Sequence, residues 1–143
     1  MAGVQFILGS RLVQWLLLVA VVVLVIRFVP YDWVATSDQK RVDAIGQATE
    51  SMMPSDLGYA LGQAAAKAFS CAYEFDKSGA EIALGTHNFE YRFIEPGGML
   101  QGVYNDGYQA ADTSGAPPAG YCDGALAEFG PTGSIIPTLI RNR

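Results

Sequence analysis

The longest apolar run lies near the N-terminus. From Leu12 to Ile26 the only clearly polar side chain is Gln14, and after Arg27 the run resumes with Phe28 and Val29 before Pro30. A helix over Leu12–Ile26 would rise only about 22 Å, whereas one from Ser10 to Val29 approaches the roughly 30 Å of a hydrocarbon core. The pattern therefore predicts a transmembrane helix over 10–29, a short tail at 1–9 and a membrane-exit linker at 30–36. Arg11 and Arg27 stand where their long side chains reach opposite interfaces. Trp15 near one end, and Tyr31 and Trp33 at the other, occupy the positions of an interfacial aromatic belt. Ser10 and Gln14 are four residues apart and share a face, which makes them candidates for contact with another membrane helix. Placement of Gln14 at the interface beside Arg11 is the alternative. A cleavable leader fits poorly, because the best site, after Ala35, puts Trp33 where a small residue is required.

The remaining residues, 37–143, read as one small α+β domain. Ser37 or Asp38 can cap a helix reaching about Met53, with Val42, Ile45, Thr49 and Met52 on one stripe. Pro54 ends it, and Ser55 or Asp56 opens a second helix with Leu57, Leu61, Ala64, Ala68 and Ala72 at helical spacing. Gly58, Gly62, Ala65, Ala66 and Phe69 give this helix a second, close-packing face, which predicts contact with the domain's own sheet or with another helix. From Cys71 the period shifts towards two. Strands are expected over 71–75, 80–84, 89–95 and 99–104, with turns at Asp76–Gly79, Pro96–Gly98 and Asn105–Gly107. Loop composition follows from Asp112 to Gly120, then a short helical segment around Ala125–Phe129 and an extended C-terminus. The expected architecture is one or two helices and a small antiparallel sheet of three to five strands, ending in an irregular, disulfide-stapled C-terminus.

Charge narrows the partners. The net charge is −5, and all 14 acidic residues lie beyond residue 30 with only 7 of the 9 Lys/Arg, so this part carries −7. Such a surface repels phosphate backbones, and no basic run offsets it, which argues against nucleic acid. Two cysteines, Cys71 and Cys122, fall in the C-terminal part. A bond between them closes a loop of about 50 residues, for roughly 3–4 kcal/mol of stabilisation; two buried free thiols are the alternative. Orientation draws on conflicting signals. Arg27, Lys40 and Arg41 outnumber Arg11 and favour a cytoplasmic C-terminal domain. The cysteine pair and the Gly/Pro/Tyr-rich composition favour an extracytoplasmic one, periplasmic or extracellular, which is the reading adopted.

No residue pattern announces catalysis. His87, the single histidine, lies in a turn-like stretch with no second histidine at ligand spacing, so neither a metal nor any other cofactor is expected. A Cys71–His87 thiol dyad is formally available, and a Cys71–Cys122 bond would exclude it. Glu74, Glu81, Glu90 and Glu95 alternate with apolar residues as on a solvated face. Type IV pilins and pseudopilins share the plan of an apolar N-terminal helix, a small domain and a late cysteine pair. The processing motif of that family, with its glutamate inside the helix, has no counterpart in Gly9-Ser10-Arg11-Leu12-Val13-Gln14, so membership is not inferred. The expectation is a non-catalytic, single-pass subunit of a larger membrane assembly: secretion or pilus machinery, a virion membrane, or a photosynthetic or respiratory complex. Its partners are then the lipid bilayer and other membrane-protein subunits, and no small-molecule ligand is indicated. The alternative is a membrane-tethered module that captures a ligand or peptide outside the cytoplasm.

Overall fold

Both predicted N-terminal helices of the domain form in the computed structural model, which describes residues 37–143. The first ends at Thr49 and not near Met53, and the second opens on Pro54 with Met53, not Ser55 or Asp56, at its cap position. The predicted span at 10–29, its flanking tail and linker, and Ser10, Arg11, Gln14, Trp15, Arg27, Tyr31 and Trp33 lie outside the described residues. Among the described residues no helix is long and apolar enough to cross a membrane.

Helix α1 (Ser37–Thr49) buries Ile45 and Thr49. The Thr49 hydroxyl donates to the Ile45 carbonyl at 2.9 Å, which satisfies the one polar group on the stripe. Val42 stays exposed, so the buried stripe is narrower than the spacing suggested. Helix α2 (Pro54–Ser70) starts on a proline, whose missing N–H and preset φ suit the first helical turn. Leu57, Leu61, Ala64 and Ala68 are buried as expected, whereas Ala72 is exposed with φ +54, past the end of the helix.

The sheet is smaller than the sequence suggests. It has two short strands, β1 (Glu74–Phe75) and β2 (Ile140–Arg141), paired antiparallel with Glu74 opposite Arg141 and Phe75 opposite Ile140. The other three expected strands are not strands. Residues 77–85 form helix α3 (Lys77–Gly85), because Asp76 caps it and Ala80, Ala83 and Leu84 fall at helical spacing on a fully buried face. The expected turn at 76–79 is the start of this helix. Residues 91–93 form a single 3₁₀ turn (Tyr91–Phe93); the aromatic/charged alternation survives as half-buried and exposed positions, without a partner strand. Residues 101–111 form helix α4 (Gln101–Ala111), and Asn105-Asp106-Gly107, read as a hairpin turn, lies inside it. Helix α5 (Tyr121–Phe129) begins four residues earlier than the predicted segment.

Helix α2 is the centre of the packing and touches α3, α4, α5 and both strands. Its small face receives α4: a Cβ on Gly58 would approach Leu100 and Val103, and one on Gly62 would approach Tyr104 and Tyr108. Ser70, at the end of α2, accepts a 3.3 Å hydrogen bond from Thr113, just past α4. Contacts that ascend together along both helices mean that α2 and α4 run parallel. The two readings of the Gly/Ala face thus resolve into packing within the domain, against a helix and not a sheet. The C-terminus supplies much of the remaining core, with Phe129, Ile136, Leu139 and Ile140 fully buried.

Candidate functional site

Asp76 follows β1 directly, and its backbone N–H donates to the Leu139 carbonyl at 2.8 Å, which ties the start of α3 to the C-terminal segment. Its carboxylate accepts the Gly79 N–H at 3.2 Å and the Ser78 hydroxyl at 2.7 Å, a helix cap built from Asp76-Lys77-Ser78-Gly79. The second oxygen pairs with Arg41, which reaches across from α1 and also donates to Ser78 Oγ at 2.8 Å. The Asp76 side chain is only 9% exposed, so its charge depends on these partners. Asp76→Ala is expected to cost about 2–4 kcal/mol, from the lost cap and a guanidinium left without its carboxylate partner. Thermal unfolding checks this, with the exposed Asp38→Ala as a control expected to stay within about 0.5 kcal/mol of the parent.

Beside this cap lies a cleft of about 310 Å³ whose lining includes Asp38, Arg41, Asp76, Thr138, Ile140 and Arg141. The first and last parts of the domain's chain meet here. Thr138 has φ +64, a left-handed conformation that costs a side-chain-bearing residue about 1–2 kcal/mol. Its N–H is held by the Gly130 carbonyl at 2.7 Å. Among the described residues, two buried side-chain polar atoms lack a hydrogen-bond partner: Arg41 Nε and Thr138 Oγ1. Both belong to residues of this cleft. Arg141 forks onto Glu74 across the strand pair, with Nε and Nη2 at 3.1 and 2.6 Å from the two carboxylate oxygens. That hydrogen bonding, reinforced by the guanidinium charge, holds the Glu74 carboxyl below its usual range.

No family model, curated protein or solved structure matches this chain. Its chemistry therefore has to be read from its own residues.

Of the residues singled out in the sequence, Cys71 and Cys122 are brought together. They form a disulfide, with sulfurs 2.06 Å apart, that joins the end of α2 to the start of α5. This removes Cys71 as a thiol, and with it the Cys71–His87 dyad. His87 is half-buried rather than fully exposed, and its Nε2 lies 3.0 Å from the Thr49 carbonyl at the end of α1. Glu74, Glu81, Glu90 and Glu95 are exposed, though only Glu74 is on a strand. Sequence reasoning missed Arg41, Asp76, Thr138 and Arg141. Asp76-x-x-Gly79 carried a capping signal that was legible in principle, whereas nothing local marks Thr138.

Tyr104, Tyr108 and Tyr121 are half-buried. Tyr121 donates its hydroxyl to the Ala111 carbonyl, which fastens α5 to the end of α4. Lys67, only 12% exposed, pairs with Glu128 and lies over the Tyr121 and Phe129 rings at 5.7 and 5.6 Å. Burial pushes the Tyr104 phenol from 10.0 up to about 12, with small additions from Tyr91 and Tyr108. The folded chain keeps that proton where the unfolded chain has lost it. Stability from this group is thus complete below pH 10 and declines between pH 10 and about 12. Burial also raises Tyr91 and Tyr121, so several phenols share the effect. Melting temperature followed upward from pH 9 is expected to fall less steeply in Tyr104→Phe than in the parent.

Proposed function

We propose that this chain is a non-catalytic, single-pass membrane protein whose stapled domain serves as a structural or accessory subunit of a larger membrane-embedded assembly. The observation that carries the reading is the apolar run from Leu12 to Ile26, bracketed by Arg11 and Arg27 within the expected span at 10–29. A span of this kind supports a setting among other membrane proteins. The disulfide supports a domain presented to an oxidising compartment, outside the cytoplasm. Phe69 is 76% exposed, Met99 72% and Met53 62%, and each is a point where a subunit packed against it would bury apolar surface.

Native purification of the full chain from detergent-extracted membranes tests the proposal. Other membrane-protein chains are expected to co-purify in fixed ratio, and Phe69→Ser or Met99→Ser is expected to lower their yield without unfolding the domain. Recovery of the free monomer alone, from membranes where the chain is made at its native level, contradicts a subunit role.

A further inference from the structure

The surface beside α3 carries the chemistry to select a partner. We infer that two adjoining clefts there dock a partner polypeptide through an arginine side chain and the apolar residue next to it. That such a partner exists rests on the subunit reading, whereas the clefts belong to the domain's own geometry.

The first cleft, of about 500 Å³, is lined by Lys77 and Glu81 of α3, by residues 89–92 and by Glu95. Phe89 and Tyr91 are half-buried, whereas Glu81 and Glu95 are exposed to whatever enters. Arg92 forks onto Glu90, with Nε and Nη2 at 3.0 and 3.2 Å from the two carboxylate oxygens, so these two charges offset each other. The ion pairs among the described residues leave Glu81 and Glu95 out. Burial, and then the negative charges of Glu95 and Glu81, push the Tyr91 phenol up, which puts both carboxylates within electrostatic reach of its hydroxyl. A cation already occupies the face of that ring. Lys77 Nζ lies 4.3 Å from the Tyr91 centroid, inside the range of a cation–π contact. Lys77 itself is exposed, so its ammonium can turn to solvent and yield the ring to another cation.

The second cleft, of about 520 Å³, shares Arg92 and Glu95 with the first and adds Phe93, Pro96 and Met99. One aromatic pair joins the two. Phe89 lines the first cleft and Phe93 the second, with their ring centroids 5.2 Å apart. Met99 is 72% exposed, so an apolar side chain laid against it and Phe93 removes adjoining apolar surfaces from water. A cation site beside an apolar one asks for two neighbouring side chains of those kinds on one segment. Arginine suits the first better than lysine, because its planar guanidinium stacks on a ring and meets a carboxylate with two hydrogen bonds at once. Tyrosine, phenylalanine and methionine are also the side chains that interfaces between proteins favour. The lining holds three carboxylates against two cations, which disfavours a phosphate-bearing partner.

The test titrates the full chain, in uncharged detergent micelles, with N-acetyl-arginyl-leucinamide while the Phe89 and Tyr91 ring signals are followed by NMR. The citrulline analogue has the same shape without the charge, and is expected to bind about tenfold more weakly. Glu81→Gln combined with Glu95→Gln is expected to weaken the arginine dipeptide about tenfold, with the melting temperature unchanged because both sites are exposed. Lys77→Gln removes the competing ammonium and is expected to tighten binding about threefold. A residue that merely shaped the cleft would move affinity the other way. Met99→Ser is expected to lower affinity for the leucine dipeptide about threefold and to leave N-acetyl-arginyl-glycinamide unchanged. Ring signals that do not shift, a citrulline analogue that binds equally, or an unchanged affinity in the double glutamate variant would overturn the site. Membrane partners that co-purify with a chain unable to bind the dipeptide sink the site alone. Dipeptide binding by a chain that leaves the membrane as a free monomer supports the site and sinks the subunit role.

Discussion

Alanine at Gly62 or at Gly107 is expected to destabilise the domain by about 3 kcal/mol, although alanine is the better helix former at both positions. A Cβ on Gly62 would lie 2.0 Å from the Tyr104 carbonyl oxygen, and one on Gly107 would lie 2.0 Å from that of Tyr59. Both obstacles are backbone atoms, so no rotamer change relieves them. The α2–α4 pair has to separate or tilt, and the core beneath it opens. A loss of this size lowers the melting temperature by about 10–20 °C in a domain of this length. Gly46 provides the contrast. It lies in the interior of α1 with nothing within 4 Å of the added carbon, and Gly46→Ala is expected to stabilise by up to about 1 kcal/mol. Thermal or urea unfolding of the three variants distinguishes a helix crossing that demands glycine from helices that merely tolerate it. Equal effects in all three would show that the close approach of α2 and α4 does not govern stability.

Reduction of the Cys71–Cys122 bond is expected to remove roughly 3–4 kcal/mol, the chain-entropy value for a loop of about 50 residues. The bond spans 51 residues and joins the end of α2 to the start of α5, across the Asp112–Gly120 stretch that forms no regular element. In the oxidised domain that stretch is closed at both ends: by Tyr121 on the Ala111 carbonyl, and by the sulfur bridge one residue later. Without the bridge, α5 depends on the Lys67–Glu128 pair and on Phe129 in the core. Unfolding with and without reductant, and in a Cys71→Ser/Cys122→Ser variant, checks the magnitude. Faster proteolysis between Asp112 and Gly120 is expected to accompany it. Identical melting temperatures in both redox states would mean that the bridge adds nothing to stability.

The helices before Cys71 were legible because their apolar stripes are long and start at clear breakers, Pro54 above all. The region after it misled because short segments such as Ala80–Leu84 suit either period, and length alone did not arbitrate. Two particulars decided the outcome. Asp76 reads equally well as the first residue of a turn or as a cap, and the choice depends on the Arg41 and Leu139 contacts that sequence does not display. Asn105-Asp106-Gly107 is a strong hairpin signal locally, yet Gly107 serves the crossing with α2, so tertiary packing overrides the turn preference. The disulfide was accessible from cysteine count and compartment reasoning, since two cysteines leave a single possible pairing. The Arg41–Thr138–Arg141 cleft was not accessible. It joins residues from opposite ends of the domain's chain, and its most telling feature is the backbone angle of one threonine.

Carbonate extraction of membranes from cells making the full chain measures the anchoring claim most directly. The account predicts that the chain stays in the washed membrane pellet and is released only by detergent, whereas the same chain lacking residues 10–29 appears in the supernatant with its disulfide intact. Full-length protein recovered from the supernatant as a single folded species, with no detergent present, would contradict it.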